Sequence, residues 1–254
     1  MKSTYKLTYV LLVFVMVVGT IIAFSRTNRT PQQATARSQQ DQAEWKAREE
    51  AKKKQFPVAE FNEPEPTDPL KRAQRKQKQK RKNGLGLVSQ NPEPDSGGGL
   101  FLPHNQFDFP GLPVEQSSVI VIADVLQSEA HLSEDKTGVF SEFTIRLVDV
   151  LKADSSLPAS EMIVERLGGY VRYPDGRKLL YRVGTGGMPR VGARYLFFLK
   201  PNAELDYSIL TAYEFGTKGT VALDSSGQFE NYERYSPNDL RRLVIEALNN
   251  SRKQ

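Results

Sequence analysis

Apolar side chains fall along this chain in three blocks, and that partition limits what it can fold into. Leu7–Phe24 (LTYVLLVFVMVVGTIIAF) is an uncharged run of 18 residues. Between Ser25 and Gln116, Pro, Gln, Glu, Lys and Arg take the place of Val, Ile, Leu and Phe. From Val119 onward the apolar and β-branched residues return every few positions. A stretch as polar as the middle block buries too little apolar surface to offset the entropy of ordering its backbone. The expectation is a disordered, charged and Pro-rich linker over 25–116, followed by one folded domain over 117–254. A domain of that length buries a core without cross-links, and the chain has no cysteine to supply one.

As a helix, Leu7–Phe24 would measure about 27 Å, close to the roughly 30 Å hydrocarbon thickness of a bilayer. Ala23-Phe24-Ser25 is a poor cleavage site, and the run is longer than the core of a cleavable signal. Residues 1–24 are therefore expected to be a retained signal anchor, a single transmembrane helix. Lys2 and Lys6 favour a cytoplasmic N-terminus, while Arg26, Arg29 and Arg37 pull the other way. A short basic head before an apolar run is how export signals are built. The folded domain is thus expected outside the cytoplasm, periplasmic or at the cell surface.

Within the linker, Asp41–Gln55 (DQAEWKAREEAKKKQ) is rich in helix formers and predicts a marginal helix. Pro57, Pro64, Pro66 and Pro69 then interrupt regular structure. Lys71–Lys82 (KRAQRKQKQKRK) holds eight positive charges in twelve residues. Such a tract suits anionic lipid, nucleic acid or an acidic polymer, or serves as a solvated, self-repelling spacer. As a flexible coil the 92-residue linker would reach roughly 55 Å. Charge is as uneven as hydropathy: residues 1–116 carry a net +6 and residues 117–254 a net −1. The basic character therefore belongs to the linker and does not mark the domain as a nucleic-acid binder.

The domain is dense in strand signals. Val119–Gln127 (VIVIADVLQ) has the composition of a strand buried on both faces. Phe140–Lys152 alternates through Phe143, Ile145 and Leu147, then shifts phase to Val148 and Val150, the mark of a β-bulge. Glu161–Leu167 predicts a third strand. Tyr170–Tyr173 and Arg177–Val183, joined by Pro174-Asp175-Gly176, predict a hairpin. Arg194–Leu199, Tyr207–Tyr213 and Gly219–Leu223 complete the strands. Ser236, Pro237 and Asp239 open a helix over 237–249, with Leu240, Leu243, Val244, Ala247 and Leu248 on one face. The fold class is mainly β: a small antiparallel OB-like barrel of five to six strands with a C-terminal α-helix, or alternatively an open β-sandwich.

Ser141–Lys152 (SEFTIRLVDVLK), the pair Gly168-Gly169 and Gly187–Leu199 (GMPRVGARYLFFL) resemble a family of uncharacterised bacterial exported or membrane-anchored domains with OB-like barrels. In outline these are distantly similar to metalloproteinase-inhibitor and netrin modules. The resemblance covers about residues 118–223 and implies fold and export, with no activity to carry over. The inhibitors reach their target's zinc through an N-terminal cysteine, which this chain lacks.

Catalytic and metal-binding patterns are sparse. His104 sits in the linker and His131 in the connection after the first strand, neither with a spacing partner for a metal site or a triad. Ser133-Glu134-Asp135 matches no calcium loop. Gly184–Gly187 lacks the ending of a phosphate loop and is expected to be a bend. No cofactor is implied, and nothing recommends a hydrolase. One cluster suggests binding: Arg172, Tyr173, Arg177, Lys178, Tyr181 and Arg182 interleave cations with aromatic rings on the hairpin, as surfaces for anionic or stacking ligands do. The functional expectation is a membrane-tethered binding or interaction module without catalytic activity, held in the bilayer by residues 7–24, with a protein or anionic-polymer partner. The alternative is an OB-type binder of nucleic acid or another anionic polymer, using the hairpin and the basic tract.

Overall fold

In a computed structural model, the structure describes residues 56–86, 88, 101–102 (backbone alone) and 109–251, apart from 156, 159, 185 and 203–205. The expected transmembrane helix over 7–24 and the marginal helix near 41–55 lie outside the described residues. Among those described, no helix is long and apolar enough to cross a membrane.

Strand β3 (Val119–Leu132) shows why its sequence is so uniformly apolar. Val119, Val121, Ala123 and Val125 point into one core, whereas Ile120 and Ile122 point into a second on the opposite face. The first core is the interior of a closed five-stranded barrel. β3 pairs antiparallel with β4 (Val139–Lys152), and β4 with β5 (Glu161–Arg172). β3 also pairs antiparallel with β7 (Arg194–Pro201), and β7 with β8 (Tyr207–Gly216). A short parallel contact of β5 with β8, Val164 opposite Tyr207 and Glu165 opposite Ser208, shuts the ring. Phe143, Ile145, Val164, Tyr195, Phe197 and Leu199 fill it.

The second core lies outside the ring, where helix α3 (Pro237–Ser251) covers β3, β7 and β8. Leu240, Val244 and Leu248 of α3 and Phe229 of the short helix α2 (Gly227–Glu230) meet Ile120, Leu196, Phe198 and Tyr213. The start of α3 is capped as its sequence predicts. The Asp239 N–H donates to Ser236 Oγ at 3.1 Å, and the Ser236 hydroxyl donates back to Asp239 Oδ2 at 2.6 Å. Ser236→Ala is expected to cost about 1 kcal/mol, measured by urea unfolding of the full chain.

Two sequence expectations change in detail. The bulge in β4 is present, since the register with β3 slips between Ile122 and Ala123 and passes over Val148. Yet Val148 and Val150 do not turn inward; both are exposed. Glu161–Leu167 is not a separate strand either. β5 continues through Gly168 and Gly169, leaving β4 after Leu167 and pairing with β6 (Lys178–Val183) from Gly168 onward. Gly168 has φ +109°, a conformation that an L side chain rarely adopts, so the switch of partner is made where no Cβ opposes it.

The larger correction concerns the linker. Its described part is folded onto the barrel rather than open coil. β1 (Val58–Glu60) pairs parallel with β5, and β2 (Phe101–Leu102) pairs parallel with β6. β9 (Gly219–Ala222) completes the sheet beside β8. The basic tract forms helix α1 (Pro69–Arg81). Phe56, Ala59, Val88 and Val114 are buried. These few apolar residues, widely spaced in a polar stretch, are enough because each fills a gap in a core that other segments build.

Candidate functional site

Helix α1 is built for its place by both ends. Asp68 accepts the Leu70 N–H at 2.9 Å as N-cap, Pro69 opens the first turn, and Lys78, Lys80 and Arg81 face the negative end of the helix dipole. None of its residues is buried, and its one large apolar side chain, Leu70, is exposed. Apolar burial therefore does not hold the helix body. Ion pairs do.

Arg75, Lys78 and Lys82 recur at i, i+3 and i+7 and so share one face of the helix path. Arg75 Nη1 donates to Glu63 at 2.7 Å. Lys78 Nζ donates to Glu142 of β4 at 2.7 Å and lies 3.3 Å from Asp206, in the connection between β7 and β8. Lys82 pairs with Glu165 of β5, which also accepts from Asn202. Beyond the helix, the Gly84 N–H donates to Asp135 Oδ2 at 2.7 Å and Val88 N–H to the Thr137 carbonyl at 2.9 Å. Asp135 also accepts from the Ser133 hydroxyl and from Thr137, and these bonds hold its carboxyl well below the usual carboxylate range.

A cleft of about 350 Å³ lies beside the helix, between Lys71, Gln74, Arg75 and Lys78 on one wall and β3, β4 and Ile163 of β5 on the other. His131 is buried at its edge, with 5% of its side chain exposed. Its Nδ1 lies 3.1 Å from Glu63 Oε2. Burial pushes the Glu63 carboxyl up, but His131 and Arg75 outweigh this and hold it below its ordinary value, so it is ionised and accepts. His131 Nε2 lies 3.6 Å from Glu129 and 3.9 Å from Glu142, both beyond hydrogen-bond reach. Among the described residues no group of three side chains is arranged to hold a metal ion.

The pairing sets a pH window. Burial pulls the Lys78 ammonium down, yet Glu142 and Asp206 raise it overall above 10.5. Its contribution is complete below 10.5 and fades as pH rises through the raised value. That of Glu63, whose folded value is depressed below 4.5, is complete above 4.5 and fades as pH falls through the depressed value. Hydrogen exchange, corrected for intrinsic rate, should show α1 best protected between about pH 5 and 10; protection that keeps rising below pH 4 would contradict this assignment.

Of the hairpin residues singled out from sequence, Arg172 and Lys178 are exposed, but the two tyrosines do not lie on an open surface. Tyr173 and Tyr181 are buried, with their hydroxyls 2.7 Å apart, and Phe61 stacks on Tyr173 at 5.1 Å. Neither ring is available to stack on a ligand. Arg172 pairs with Glu60 and Arg177 with Asp175, while Lys178 sits 4.1 Å from the centre of the Tyr170 ring. Arg182 Nε is buried beside them. The two tyrosines pack with Ala59 and Phe61 of the β1 segment. Gly184, Gly186 and Gly187 lie in the bend that leads to β7.

Sequence reasoning missed Glu63, Glu142, Glu165 and Asp206, and set aside His131. The one signal was an unmatched pair of facts: a run of eight cations, and a domain with acids at outward strand positions. Neither any protein-family model nor any curated protein matches the chain.

Proposed function

We propose that this chain is a membrane-tethered, extracytoplasmic binding module without catalytic activity, and that an OB-like barrel presents its ligand on the β4–β5 face. Numbered within the ring, its strands follow the order first, second, third, fifth, fourth, which supports the OB-like reading. Barrels of that kind take ligands on the face of their second and third strands and on the loops after the first and fourth. Here those places are β4, β5, residues 133–138, Asn202 and Asp206. One observation carries the proposal: Glu142, Glu165, Asp206 and Asp135 all converge on that face and are all engaged by a single segment of the chain itself. The uncharged run Leu7–Phe24 behind a basic head supports the tether and export. Reading the hairpin as a nucleic-acid platform is weakened by the burial of its tyrosines.

The test is a photo-crosslinking side chain placed at Ile163, exposed on this face, with Val191 as an equally exposed control elsewhere. In the native envelope, adducts are expected at 163 and not at 191. Their absence at 163 would end the reading of this face as a ligand surface.

A further inference from the structure

The chemistry of the occupant already on the β4–β5 face identifies the class of partner. We infer that this face is a receptor for a Lys/Arg-rich helical segment of another protein, and that α1 is an intramolecular stand-in which such a segment displaces. The inference rests on the binding-module reading above and names its ligand.

Three observations carry it. First, the fit is periodic. Lys78 and Lys82, at i and i+4, meet Glu142 with Asp206, and Glu165, on the face, while Arg75, three residues earlier on the same stripe, pairs with Glu63 in the segment before α1. A cationic stripe on one face of a helix is therefore the recognised feature, rather than positive charge in general. Second, the grip is electrostatic. With no buried residue in α1, no apolar interior has to be opened to exchange it for another helix. Third, α1 leaves part of the face unmet. Glu129, largely exposed, lines the cleft beside the buried His131 and stands 3.6 Å from its Nε2. A partner carrying one more ammonium than α1 presents there gains the Glu129 carboxylate as an acceptor.

The probe is an acetylated, amidated peptide with the sequence of residues 69–84, titrated into the full chain. Wild type is expected to bind it weakly, because α1 competes from the same chain at high effective concentration. In Arg75→Gln/Lys78→Gln/Lys82→Gln, glutamine keeps helix propensity while removing the competitor's charge. Binding should tighten about tenfold or more there, and weaken as salt is raised. Adding Glu142→Gln and Asp206→Asn to that variant should reverse the gain. Far-UV circular dichroism checks that each variant is folded. The chain has only two histidines, so an imidazole nitrogen spectrum resolves each of them, and His131, which lines the cleft, should shift. The inference is overturned if the opened variant binds no tighter than about 1 mM, or if a scrambled peptide of the same composition binds equally well. It is overturned equally if binding leaves His131 unmoved. Crosslinks at Ile163 that persist despite such a failure would leave the binding-module reading standing with a different partner; loss of both would remove the two together.

Discussion

Replacing Asp224 with alanine is expected to destabilise the fold by about 3–5 kcal/mol. Asp224 lies two residues past the end of β9, is fully buried, and accepts from Arg166 Nη2 at 2.5 Å; the Arg166 side chain is itself 9% exposed. Removing the carboxylate leaves a guanidinium in a medium that cannot hydrate it. That is the costly half of a buried ion pair. The pair as a whole is a poor stabiliser, because Arg166 Nη1 and Asp224 Oδ2 have no hydrogen-bond partner. Arg166→Met/Asp224→Leu, which replaces both charges with apolar groups, should therefore recover most of the loss, while Arg166→Met alone should not. Urea unfolding of the full chain measures it: a fall in the midpoint on the order of 2 M for Asp224→Ala, largely restored in the double variant. A double variant no better than the worse single one would refute this account.

The second large effect is expected at Gly187, where adding one methyl group should cost about 3 kcal/mol. A Cβ there would stand 2.3 Å from the Leu223 carbonyl oxygen and 3.3 Å from its carbon. These are backbone atoms at the end of β9, and they cannot yield without moving either the strand or the bend that leads into β7. Gly186, its neighbour, supplies the contrast. A Cβ there would meet the far end of the Arg166 side chain and the Val183 carbonyl, each at 3.1 Å. Gly186→Ala should therefore lose markedly less than Gly187→Ala. Equal midpoints for the two variants would show that the Leu223 contact does not govern the bend.

Much of the barrel was legible from the chain because strand burial is a local pattern. In β3 every residue from Val119 to Ala123 is apolar, and both faces are covered. In α3 the cap and the stripe of Leu240, Val244 and Leu248 stand within a dozen residues. The orientation of the hairpin tyrosines was also written there. Tyr173 shares the parity of buried Val171, and Tyr181 that of buried Val183. Counting aromatic residues without that parity made two packed rings look available to a ligand. The fate of the basic tract was not legible locally. Its order comes from carboxylates far along the chain, with Lys78 and Glu142 separated by 64 positions and Lys82 and Glu165 by 83. No window of sequence contains both halves of those pairs.

The ring is shut by two residue pairs where every other seam has at least six. A cylinder fastened so lightly along one line will fray there before anywhere else. Glu165 sits on that line and is clamped from both sides, by Lys82 and by Asn202. Lifting α1 away removes one of those two clamps, so departure of the helix should quicken amide exchange at Val164 and Tyr207 before it reaches the centre of β3.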